Sequence, residues 1–122
     1  MLEAIDIIKS YVSNLYAELN ELKLQIGQYR ATELQINEAI NKTKDGCDKI
    51  REAASIIHES IEGSKKQSKL STDLNVRANC YGNVVNTLSS MLSECQQKKK
   101  LKMQRAEEIS NEIQALRRAY SF

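Results

Sequence analysis

At 122 residues, with 18 basic and 16 acidic side chains and a formal charge of +2, the chain is one domain's worth of polypeptide. Its near-neutral balance gives no bulk attraction to nucleic acid or to an anionic membrane. With no Pro, no Trp, one Phe and only four Gly, nothing interrupts a helical ladder, and no strand is expected. No stretch approaches the roughly 18 to 20 apolar residues of a membrane span, so stable insertion is not expected.

A seven-residue apolar rhythm begins at once: Ile5, Ile8, Val12, Leu15, Leu19, Leu22, Ile26, Tyr29, then Ile36, Ile40, Cys47, Ile50, Ala54, Ile57 and Ile61. Glu33 and Thr43 occupy the two missing steps without shifting the phase. The spacing predicts one long helix, about residues 2–62, with a single sticky seam of the coiled-coil kind. Gly27 and Gly46 are its weakest points, each costing about 1 kcal/mol relative to alanine, and Asp45-Gly46 is where it would break if it broke.

The polar run from Gly63 to Thr72 reads as a turn, with Ser71 or Thr72 as the cap of the second helix. A second rhythm then runs through Leu74, Ala78, Tyr81, Val85, Leu88, Leu92, Cys95, Ala106, Ile109, Ile113, Leu116 and Tyr120, predicting that helix over about 73–121. Two amphipathic helices joined by a short connection lie side by side, so the fold class is all-α: a single domain over 1–122 built as a long antiparallel two-helix, coiled-coil-like hairpin. Charge supports the pairing. Residues 1–62 hold 11 acids and 7 bases, residues 63–122 hold 5 acids and 11 bases, so the flanks of one helix complement those of the other.

A turn centred near residue 67 makes residues facing each other add to about 134. Lys99 and Lys102, the polar step of the second seam, then bracket Glu33, the acidic step of the first. Such a polar layer fixes register at some cost in stability. The same arithmetic leaves about ten N-terminal residues without an intramolecular partner. Leu2, Ile5, Ile8 and Val12, widened by Tyr11 and Tyr16 beside the seam, are therefore the expected partner-binding stripe.

No catalytic, cofactor or metal chemistry is legible. His58 is the single histidine, and no Gly-rich phosphate loop is present. The three cysteines, Cys47, Cys80 and Cys95, lack paired C-x-x-C spacing, so reduced thiols acting as small apolar residues are expected. The basic cluster Lys98-Lys99-Lys100-Leu101-Lys102 with Arg105 has no interleaved aromatics. It reads as a neutralised helix face rather than a nucleic-acid site. The N-terminus has neither a basic region nor a long apolar core, so synthesis in the cytosol is expected, with export by a route lacking a cleaved signal left open.

The run Asp73-Leu74-Asn75-Val76-Arg77-Ala78-Asn79-Cys80-Tyr81-Gly82-Asn83-Val84-Val85, the long heptad helix before it and the ending from Ile109 to Tyr120 resemble small helical proteins of bacterial type VII secretion, the YwqH-like group encoded with LXG-domain toxins. That resemblance implies a non-enzymatic cytosolic targeting chaperone, an adaptor that binds the helical N-terminal domain of an LXG toxin, alone or beside a second small helical protein, and accompanies it to the secretion machine. Tyr81-Gly82 is not the Trp-x-Gly turn of the related small secreted hairpins. The only Phe is terminal Phe122, so no Phe-x-x-x-Asp export signal can be placed. The alternative reading is a self-assembling structural coiled coil, a dimer of hairpins with no secreted client.

Overall fold

A computed structural model describes residues 2–60 and 65–121, which form two α-helices, α1 (Leu2–Ser60) and α2 (Lys65–Tyr120), and no strand. They pack against each other as an antiparallel hairpin. Two compact units result: a terminal unit, Met1–Thr32 with Cys95–Phe122, and a central unit, Glu33–Glu94. Each contains a piece of both helices.

α1 continues through Gly27 and Gly46 without a break. The heptad seam on either side of each glycine is buried, and that burial outweighs a local propensity deficit of about 1 kcal/mol. Thr43, the hydroxyl on the seam, is accommodated because its Oγ1 donates to the Ala39 carbonyl one turn back, at 2.7 Å. The back-bond satisfies the polar atom without a partner from the other helix.

In the terminal unit the core is built of large aliphatic residues. Val12, Leu15, Leu19 and Leu22 of α1 close on Ile109 and Ile113 of α2, with Ile8, Ala106 and Leu116 packed around them. Ile109 is fully enclosed, with 0% of its surface exposed. The flanks are tied by polar contacts: Tyr11 Oη donates to Glu112 Oε1 at 2.6 Å, Arg105 Nε to Glu18 Oε1 at 3.1 Å, and Arg117 Nη1 to Tyr16 Oη at 3.2 Å.

The central unit is filled differently. Beyond Ile36 and Ile40 its buried seam consists of Cys47, Ala54, Ser71 and Ala78, all small. Small side chains let the two backbones approach until side-chain donors reach carbonyls of the opposite helix. Ser71 Oγ donates to the Ala54 carbonyl at 3.2 Å, and Cys47 Sγ to the Ala78 carbonyl at 3.3 Å.

These cross-helix contacts correct two expectations. Residues 65–72, anticipated as turn, belong to α2, and Ser71 is a buried seam residue rather than a cap. Residues 61–64 lie outside the described residues. From Lys65 the sequence contains no Pro or Gly until Gly82, and Lys, Gln and Leu are good helix formers, so a polar run continues the helix. Register moves accordingly. Contacts close to the seam join residues whose numbers add to about 123 or 124 in the terminal unit and to about 125 in the central unit, not 134, while the long side chains of Arg117 and Arg51 reach past their own level to Tyr16 and Asn79. The expected N-terminal overhang shrinks to a few residues, because the last turns of α2 reach back along the start of α1.

Candidate functional site

The anticipated partner-binding stripe is mostly spent inside the fold. Val12 is buried, Ile8 is half-buried against the core that holds it, and Tyr11 and Tyr16, though exposed, are engaged through their hydroxyls with Glu112 and Arg117. Ile5 is exposed, as is Ile7 beside it. The side chain of Leu2 lies outside the described residues. The register removes most of the stripe from solvent by laying Ile113 and Leu116 over it.

Glu33 is half-buried in the central unit, while Lys99 and Lys102 are half-buried in the terminal unit, where Lys102 shares a cleft with Gln25, Gln28, Tyr29 and Thr32. Half-burial of the two lysines fits long stems lying on a seam with the ammonium groups at its edge, whereas Glu33 carries an enclosed Oε1. Neither Glu33 nor Lys99 is without an interaction partner. In the basic cluster, Arg105 is committed to Glu18 and also approaches Glu108 Oε2 at 3.5 Å. Its hydrogen bond to Glu18 leads the causes that raise the guanidinium pKa above its ordinary value.

Among the described residues, no group of three His, Cys, Asp or Glu side chains gathers as a metal site would require, and no helix is long and apolar enough to cross a membrane. All three cysteines are free, Cys47 and Cys95 buried and Cys80 exposed.

Large apolar side chains are exposed at scattered places on both helices, among them Leu24, Leu34, Ile56 and Leu101, and at regular spacing on α2 of the central unit. Leu70 (47% exposed), Tyr81 (43%), Val84 (47%) and Met91 (50%) are all large and apolar. With Leu74, Arg77 and Leu88 they form a series, 70-74-77-81-84-88-91, that shares Leu74, Tyr81 and Leu88 with the first rhythm and adds 70, 77, 84 and 91, each one residue before 71, 78, 85 and 92. A helix whose apolar residues occupy two adjacent heptad series has a stripe wider than one partner helix can cover. Along the middle of this stripe runs a shallow groove of about 360 Å³, lined by Ile50 from α1 and by Leu74, Arg77, Cys80, Tyr81 and Val84 from α2.

The opposite flank of the same unit is polar. A groove of about 480 Å³ there is lined by Lys44, Asp48, Arg51, Asn79, Asn83 and Asn86 among others, and Arg51 Nη2 already donates to Asn79 Oδ1 at 3.1 Å. It is the larger of the two. For a docking surface the apolar flank is the better candidate, because burying it releases water from hydrocarbon, whereas burying the amide-rich flank sacrifices hydration that a partner must replace bond for bond.

Tyr81, expected on the buried seam, is thus exposed, and the apolar flank as a whole is absent from the residues that the seam alone singles out. Val84 and Met91 each sit one step from a residue that already continues the rhythm, Val85 and Leu92, so a single-phase reading absorbs them, and Leu70 falls in the run read as a turn. The signal that finds them is the offset duplicate heptad, legible once two phases are counted in parallel. Comparison with protein-family models, curated proteins and solved structures returns no match for this chain.

Proposed function

We propose that this chain is a non-enzymatic helical adaptor, whose work is to complete a bundle with helices of another protein on the apolar flank of its central unit. The observation that carries this reading is the distribution of side-chain size. Beyond Ile36 and Ile40, the central unit fully buries only the small Cys47, Ala54, Ser71 and Ala78 among the described residues, while leaving Leu70, Tyr81, Val84 and Met91 in water. Exposed apolar residues are ordinary when scattered, but a continuous run at heptad spacing is the pattern of a helix-in-groove contact.

Affinity in such a contact arises from apolar burial, roughly 25 cal/mol per Å² before the costs of association are deducted. Selectivity comes from charge, with Arg77 inside the stripe and Asp73 next to Leu74 at its border. The resemblance of residues 73–85 and of the long heptad helix to the YwqH-like group supports one client class, the helical N-terminal domain of an LXG toxin. In that reading the adaptor holds the toxin's apolar helices before export by type VII secretion and either stays in the cytosol or leaves with its client.

The test is co-expression with the N-terminal domain of an LXG toxin. The wild-type chain is expected to co-purify with that domain and keep it soluble. Val84→Glu with Met91→Glu is expected to abolish capture while leaving the helical circular dichroism unchanged. Capture that survives this pair refutes the assignment of the face, and absence of any capture by the wild-type chain refutes the client.

A further inference from the structure

We infer that, when no client is bound, the apolar flank of the central unit is covered by a second copy of this chain, with the two α2 segments antiparallel about a two-fold axis beside Cys80. The inference rests on the same face as the adaptor reading but names a different occupant, and it follows from the order of residues within the stripe.

Six of the seven stripe residues are apolar, and one, Arg77, is charged. Arg77 forms no ion pair among the described residues. Any helix that covers the stripe must therefore provide something for the guanidinium, or leave a desolvated cation unpaired. An aromatic face is a good provider, since a guanidinium stacks on a π-system and loses little hydration in doing so. The stripe contains one aromatic residue, Tyr81, one helical turn from Arg77 and lining the same groove.

In an antiparallel pair of heptad stripes, each position of one kind is level with a position of the other kind. Setting Arg77 level with Tyr81 of the second copy sets Leu74 level with its Val84 and Leu70 level with its Leu88. From Leu70 to Leu88 every layer is then apolar except the two central ones, each of which is an arginine on a tyrosine, and Met91 lies beyond the end of the paired segment. Because the interface is isologous, the match is made twice. A parallel pairing instead brings the two arginines level with each other, which is repulsive. An unrelated apolar helix leaves the arginine without a partner. The charge pattern of the stripe is thus complementary to its own reverse.

The paired segment, Leu70 to Leu88 in each copy, corresponds to about 30 Å of helix, a length typical of the seams that hold bundles together. The axis passes between Arg77 and Tyr81, so the two copies of Cys80 lie on one flank, offset along the helices by about 3 Å. Cys80 is the one cysteine exposed to solvent, and it lines the groove. It provides a direct reporter of the geometry.

The experiment uses the full-length chain. Sedimentation equilibrium under reducing conditions is expected to show a dimer at tens of micromolar, dissociating on dilution. Brief oxidation with copper phenanthroline is expected to convert that dimer to a disulfide-linked species that Cys80→Ser removes and that neither Cys47→Ser nor Cys95→Ser affects. Tyr81→Phe, which keeps the ring, should retain both dimer and cross-link. Tyr81→Glu, which keeps Cys80 and the exposed position, should lose both. A monomer at these concentrations overturns the inference, as does a dimer that survives Tyr81→Glu or a cross-link that forms equally well in that variant. A monomer that still captures an LXG domain leaves the adaptor reading standing. A Tyr81-dependent dimer that captures none sinks the adaptor reading and leaves this one.

Discussion

Replacing Ile109 by alanine tests the packing that the register creates. The side chain is fully enclosed in the cluster with Val12, Leu15, Leu19, Leu22 and Ile113, and the substitution removes three carbons from the middle of that cluster. At about 0.8 kcal/mol per buried methylene, transfer alone accounts for about 2.4 kcal/mol. The space left behind adds up to about 2 kcal/mol if the helices do not collapse into it. The expected loss is therefore about 2.5 to 4 kcal/mol, a large part of the roughly 5–15 kcal/mol that typical domains have. Leu24→Ala is the control: Leu24 is 58% exposed, alanine is at least as good a helix former, and the expected change is within about 0.5 kcal/mol. Urea unfolding followed by circular dichroism at 222 nm measures both, and equal m-values license the comparison. A loss below about 1 kcal/mol at Ile109, or an equal loss at Leu24, refutes the placement of these residues and with it the register of the terminal unit.

Three further outcomes are expected. Gly27→Ala should stabilise the protein by about 0.5 to 1 kcal/mol, since a Cβ at that helical position meets nothing within 4 Å and the unfolded chain loses freedom; a lower urea midpoint would contradict this. Ala78→Leu should cost about 1 to 3 kcal/mol by forcing a branched side chain between backbones in close approach, read from the same unfolding curves. The Tyr11 hydroxyl, bonded to the Glu112 carboxylate, has its pKa raised above the ordinary tyrosine value chiefly by that hydrogen bond. A raised folded-state pKa means that the associated stability is complete below the unfolded tyrosine pKa of about 10 and is lost as pH rises through the folded value. Ultraviolet titration should therefore show a late-titrating phenol that is absent in Tyr11→Phe and moves towards the ordinary value in Glu112→Gln.

The fold class was legible because a heptad stripe is a redundant signal: residue after residue of α1 repeats one statement, and the loss of two steps at Glu33 and Thr43 does not silence it. Register was not, for a reason of geometry. In a hairpin, moving the turn by one residue moves every facing pair by two, so a centre placed near 67 shifts the pairing by about ten. Ser68, Ser71 and Thr72 have the composition of a turn, and only the tertiary contact between Ser71 and the Ala54 carbonyl shows why a buried serine belongs there. The expected site carries the same displacement. Val12 and Ile8 are unpartnered only if α2 stops short of them, as a turn at 67 requires. The face at Leu70, Tyr81, Val84 and Met91 stays hidden because a sequence pattern shows which residues form a stripe, not how much of it the partner helix covers.

The carbonyl-bound thiol of Cys47 has a practical consequence. Buried against Ala78, it sits where a bulky alkylating reagent cannot fit while the helices are closed, so its modification rate is a clock for their parting. Cys95, whose Sγ lies 3.5 Å from the Tyr29 carbonyl, times the other unit in the same way. Pulse labelling of the two thiols in one sample, resolved by mass spectrometry, thus compares breathing at two places along one hairpin, and a bound client or second copy should slow the Cys47 clock more than the Cys95 clock.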